Sequence, residues 1–125
     1  MAGIRLAALA AALILQAGTA CAGSIEGVWL TADRSTEVQI GRCDAAICGS
    51  IADDADHRTS FAGRQIIEGL RPVSADSWAG GFVYDPRDGK RYASRAKLLR
   101  DGTLRIEGCL AFLCSGETWT RVLQR

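Results

Sequence analysis

From Ser24 to Leu123 the chain reads as short runs alternating apolar and polar residues at period two, interrupted about every ten residues by turn-forming dipeptides. No stretch in that span carries the 3.6-residue periodicity of an amphipathic helix. The clearest unit is Trp78–Tyr92, WAGGFVYDPRDGKRY. Alternation puts Trp78, Gly80, Phe82 and Tyr84 on one face and Ala79, Gly81, Val83 and Asp85 on the other. Pro86 stops the ladder because it has no N–H to donate, and Asp88-Gly89 supplies residues that tolerate positive φ in a hairpin turn. On this reading Tyr84 and Tyr92 face each other near the hairpin end.

Further strands are expected over Ser24–Thr31, with Ile25, Gly27 and Trp29 on one face, and over Thr36–Cys43 and Ile47–Ala52. Others are expected over Arg91–Leu99, Thr103–Leu110 and Gly116–Leu123, with Asp101-Gly102 as another hairpin turn. Gln65–Leu70 is too short for its period to separate a strand from a helical turn. Residues 53–64 break the pattern and read as a loop or lid. Seven or eight short strands without helices predict an all-β antiparallel meander. A meander of that length leaves open edges unless it closes, which favours an up-and-down barrel of about eight strands over a β-sandwich.

Residues 1–22 are expected to be a signal peptide, leaving 23–125 as a single β-barrel domain. Arg5 is their only charge, Leu6–Leu15 is unbroken apolar sequence, and Ala20-Cys21-Ala22 offers small residues for cleavage after Ala22. The apolar run is about half the ~20 residues that span a bilayer, so stable membrane insertion is not expected. Gly18 stands where lipidation of Cys21 calls for a large aliphatic residue, which argues against an acylated Cys21. A periplasmic or extracellular location is expected. Without Arg5 the chain keeps fourteen of its fifteen basic residues against fourteen acidic ones. A near-neutral surface without a basic stripe gives no nucleic-acid groove.

Cys43 and Cys48, and likewise Cys109 and Cys114, are spaced alike. Four cysteines in an exported chain permit three connectivities. The pairing 43–48 and 109–114 is preferred because each pair brackets an expected hairpin tip, where cross-strand Cβ atoms approach closely. A four-cysteine zinc site is the rival, and an oxidising compartment weighs against it.

Gly27-Val28-Trp29 near the start and Arg121 near the end resemble the closing elements of lipocalins, in which such a glycine–tryptophan pair packs beneath an arginine from the end of the barrel. Together with Cys48-Gly49-Ser50-Ile51, Gly80–Pro86, Gly89-Lys90-Arg91-Tyr92, Leu104–Cys109 and Thr118–Arg121, they give the chain a resemblance to the domain-of-unknown-function family 2147. Those are small exported bacterial proteins with a lipocalin-like, calycin-type barrel. The resemblance implies that Trp29 and Arg121 close the barrel. Residues 53–64 depart from the family pattern, being shorter and lacking an Asn-Pro segment.

The chemistry-bearing residues are few. Asp53, Asp54, Asp56 and the sole histidine, His57, form the one acid–histidine cluster, but they lack the glycine and terminal glutamate of a calcium loop and read as a solvated loop. No Gly-x-Ser-x-Gly elbow accompanies His57, so no catalytic residue, metal or cofactor is assigned. Asp85 and Asp88 read as caps for turn amides. Trp78, Phe82, Tyr84 and Tyr92 are the expected ligand-contacting residues. The function expected is binding of a small apolar or amphipathic molecule in the barrel, without catalysis. The alternative is a filled barrel acting as a structural or protein-interaction module through the 53–64 loop or a strand edge.

Overall fold

The computed structural model describes residues 24–54 and 62–123, with the side chains of Asp53 and Asp54 left aside. They form eight antiparallel strands in sequence order, each paired with its chain neighbours, and β8 returns to β1 to close a barrel. The strands are β1 (Gly27–Leu30), β2 (Thr36–Cys43), β3 (Ala46–Asp54), β4 (Gln65–Ser74), β5 (Ser77–Asp85), β6 (Lys90–Leu98), β7 (Leu104–Leu110) and β8 (Leu113–Arg121). The ambiguous segment at Gln65 is therefore a strand, and it continues to Ser74. The expected leader, Cys21, Asp56 and His57 lie outside the described residues.

Short polar turns join the strands, and aspartates hold several of them. Asp33, Asp85, Asp88 and Asp101 each accept a hydrogen bond from the backbone N–H two residues on, at 2.9–3.0 Å. The capping role expected for Asp85 and Asp88 is thus observed.

Inward-facing side chains form one apolar core. Trp29, Ile40, Ile67, Leu70, Leu104 and Val38 are fully buried, and Trp78 and Trp119 nearly so. Each such side chain contributes about 1.5–3 kcal/mol by leaving water. The disulfides pair as preferred, Cys43 with Cys48 and Cys109 with Cys114. The first staples the β2–β3 turn at one end of the barrel, and the second staples the β7–β8 turn at the other.

Two bulges correct the simple alternation. Gly69 in β4 and Gly80 in β5 have φ of 69° and 84°, in the left-handed region glycine enters without penalty. The β5–β6 register slips between Ala79 and Gly81. One extra residue at Gly80 reverses which face each later side chain occupies. Trp78 therefore points inward opposite Ala96, whereas Phe82 points outward and Val83 takes the inward position opposite Tyr92. The expected Tyr84–Tyr92 pair does not form, because Tyr84 lies opposite Arg91.

The seam that closes the barrel is short. β1 meets β8 only at Trp29–Arg121 and Leu30–Thr120, extended by a 2.8 Å bond from Val122 N–H to the Val28 carbonyl. Above Thr120, residues Leu113–Thr118 pair with β7 alone among the described residues.

Candidate functional site

The two ends of the barrel differ. At the end where β1 begins, Arg121 seals the floor. Its guanidinium lies 4.3 Å from the Trp29 ring, and its nitrogens donate to the carbonyls of Glu26 at 2.9 Å and Ser24 at 2.6 Å. Trp29 Nε1 donates to the Ile25 carbonyl at 2.9 Å, so the buried indole leaves no polar atom unsatisfied. Gly27 explains the spacing of the motif: a Cβ there would sit 2.6 Å from Arg121 Nη1, and its φ is 139°. The glycine makes room for the guanidinium two residues before the tryptophan it covers.

The opposite end is the mouth, framed by the β1–β2, β5–β6 and β7–β8 turns. Inward positions here are not all buried as they are below. Val83, Tyr92, Ser115 and Glu117 face inward by alternation yet remain partly or largely accessible, while Trp119, one step deeper on β8, is buried. Gly108 lies behind Tyr92 and Val83: a Cβ there would come within 3.1 Å of Tyr92 Cβ and 3.2 Å of Val83 Cγ1. By alternation these residues share the inner face of the β5–β8 wall at the mouth, above the buried Trp119 and Ile106, and that face is called the cup.

Its polar fixtures are specific. Glu117 Oε2 accepts a 2.6 Å hydrogen bond from Trp119 Nε1, tying the carboxylate to the floor. Tyr92 Oη donates to Asp88 Oδ2 at 2.9 Å, a bond that raises the phenol pKa. Asp88 is held below the usual carboxylate range, first by the Lys90 amide and also by that phenol. Arg87 reaches from the β5–β6 turn with its Nε 3.3 Å from Asp85 Oδ1, and that partner raises its pKa, with smaller contributions from the charges of Asp33 and Glu117. Among the described residues the rim turns carry both carboxylates, Asp33, Asp85 and Asp88, and cations, Arg34, Arg87 and Lys90. Ser94, buried inside, spends its hydroxyl on the Glu107 carbonyl at 2.9 Å.

Of the four expected ligand-contacting residues, the cup contains Tyr92. Trp78 belongs to the core nearer the closed end, beside Pro72. Phe82 is on the outer wall, 42% exposed, beneath the Arg91 guanidinium at 4.4 Å, and Arg91 in turn pairs with Glu68 at 3.1 Å. Tyr84 shares the side of β5 that Phe82 occupies by alternation but is half-buried against the core cluster, and it accepts a 3.4 Å hydrogen bond from Arg64 Nη1. Glu117 and Ser115 escaped the sequence reading. Counting back by twos along β8 from the shared face of Arg121 and Trp119 reaches both.

Two other hollows lie away from the mouth. One of about 260 Å³ sits at the closed end between Ile25, Arg42, Ala46 and Trp78. The other, about 480 Å³, runs along the wall of β5–β7 beside Ala79, Lys97 and Arg105. Among the described residues no three His, Cys, Asp or Glu side chains converge on a metal position, and no helix is long and apolar enough to cross a membrane.

Eight antiparallel strands closed beneath a tryptophan and an arginine define a lipocalin-like barrel. Residues 27–121 match the family described as "Uncharacterized protein conserved in bacteria" (DUF2147), and the chain belongs to that family. Among solved structures it is similar to HP1028 from the human pathogen Helicobacter pylori, described as belonging to the lipocalin family. The TM-score is 0.68 at 18% identity, with 80% of this chain and 84% of that one covered. No curated protein matches the chain.

Proposed function

We propose that the protein is exported, through cleavage of residues 1–22, and binds a small amphipathic molecule in the mouth of the barrel without transforming it. The observation that supports this most is the set of inward-facing yet accessible residues, Val83, Tyr92, Ser115 and Glu117, above a sealed floor. A filled barrel would bury those positions as it buries Leu104 and Trp119. The ligand's apolar body would rest on Val83, the Tyr92 ring and Trp119. Its polar end would meet Glu117 and the charged rim. Two disulfides and membership of a bacterial family accord with an oxidising compartment.

Tryptophan fluorescence tests this reading, since Trp119 floors the cup. Titration with fatty acids, fatty amines and hydrophobic dyes is expected to give a saturable change for at least one class. Tyr92→Ala should weaken that binding about tenfold, the loss of one aromatic contact. Flat titrations, together with a bare chain mass in native mass spectrometry of protein from its own host, would remove the ligand.

The second reading, a filled structural or interaction module, draws on the lower half of the barrel. There Trp29, Trp78 and Trp119 take up the interior. On that reading the flat titrations are the expected result, with folding and oxidation intact.

A further inference from the structure

β8 carries a backbone edge that ligand binding does not use, although the side chains of Ser115 and Glu117 on the same stretch face the cup. Its residues Leu113–Thr118 have a ladder partner on the β7 side only, among the described residues. In an antiparallel strand the N–H and C=O of one residue point to the same side, and successive residues alternate. The Val122 N–H bonds to β1, so even-numbered residues of β8 aim their backbone groups at the seam. Cys114 gives the same parity independently. Its Cα lies 4.0 Å from that of Cys109, the short spacing of a pair that exchanges no backbone hydrogen bonds, so its N–H and C=O also point away from β7. Cys114, Gly116 and Thr118 therefore offer backbone donors and acceptors to the open seam.

Proteins usually blunt such an edge with lysine, proline, a bulge or a covering loop. The stretch LCSGET has no lysine, arginine or proline and one charge, Glu117, and its β7–β8 register runs without a slip. It is continuous with an exposed apolar tip, Leu110 at 68%, Phe112 at 88% and Leu113 at 69% exposed. Scattered surface leucines need no explanation, but three large apolar residues on one disulfide-clamped hairpin beside an open edge mark an interaction surface.

We propose that this edge pairs antiparallel with the same edge of a second copy of the chain, across a two-fold axis at Gly116. The backbone dictates the register: seam-facing residues must oppose seam-facing residues, and centring on Gly116 uses the whole open stretch. Cys114 then lies opposite Thr118 of the second copy and Gly116 opposite itself, giving about six N–H···O bonds. Side chains agree with that register. Glu117 falls opposite Ser115, whose hydroxyl donates to it, so the lone charge of the edge never meets its own image. Leu113 and the tip beyond it extend to where the second copy's β1 ends at Leu30, which covers apolar surface now in water. A foreign strand could satisfy the backbone, but the self-matching of Ser115 with Glu117 selects a like chain.

The test is the solution mass of the oxidised protein by light scattering, from about 5 to about 500 μM, a range that brackets micromolar self-association. Twice the chain mass is expected at the upper end, with the Cys114, Gly116 and Thr118 amides protected from hydrogen exchange there and released on dilution. Thr118→Pro deletes a seam-side N–H while leaving the β7 ladder whole, and should return the mass to one chain with an unchanged circular dichroism spectrum. Ser115→Glu sets like charges face to face and should weaken association at least tenfold, a check that survives if the proline variant fails to fold. A single-chain mass throughout the range, or a doubled mass that both variants keep, overturns the proposal.

Discussion

Arg121 makes more of the barrel than its exposed position suggests. One guanidinium covers the Trp29 ring, bonds two carbonyls that precede β1, and occupies the space that Gly27 leaves by having no Cβ. Arg121→Ala should destabilise the protein by about 2 kcal/mol, from the lost cation–π contact and hydrogen bonds. For a domain of this size that is a fall of roughly 10 °C in Tm by calorimetry. Arg121→Lys should recover only part of it, since an ammonium lacks the planar fork that bonds both carbonyls while lying flat on an indole. This closure was legible in the sequence because it rests on residue types at fixed spacing. The cup was less so. Tyr92 lies on the inner face, whereas Phe82 stands on the outer wall and Tyr84 is half-buried on Phe82's side of the strand, both displaced by the one extra residue at Gly80.

At the scale of the strand, that bulge separates what period-two counting can and cannot reach. Strands β2, β5 and β6 fall within a residue or so of their expected bounds, because alternation and Asx–Gly turns are local signals. A bulge is set by the neighbouring strand as well. The doublet Gly80-Gly81 hints at one without saying which glycine takes positive φ. The structure distinguishes them: Gly80 has positive φ and open space around it, whereas Gly81 is pressed against the Glu68 carbonyl of β4. Gly80→Ala should therefore lower stability by about 1–2 kcal/mol, the cost of a Cβ in the left-handed region. Gly81→Ala should be worse, since the intruding methyl meets backbone that cannot swing aside. Urea unfolding of the two variants, compared at their midpoints, checks the order.

Over the whole molecule the charges are balanced and mostly at the surface, and the carboxyls respond to pH in one direction. Asp33 is lowered first by the Ser35 hydroxyl, Asp76 by Ser74, Asp101 by Thr103, Asp88 by the Lys90 amide, and Glu107 by Arg95. A depressed folded-state pKa means that the unfolded chain binds the proton more readily. Their stabilisation is therefore present above the ordinary value of about 4 and is lost as pH falls through the lower folded values. Tm should be level between about pH 5 and pH 8 and decline below about pH 4. Molar salt should flatten only the share of that decline due to Glu107, whose partners Arg95 and Arg105 are charges, because the aspartates are held chiefly by hydrogen bonds from neutral groups.

The lock between Arg121 and Ser24 has a geometric corollary. Both ends of the folded body leave from the same pole, and the cup opens at the other. Whatever is joined to either end, be it an anchor, a tag or a fused neighbour, would stand behind the protein and leave its rim facing away from the attachment.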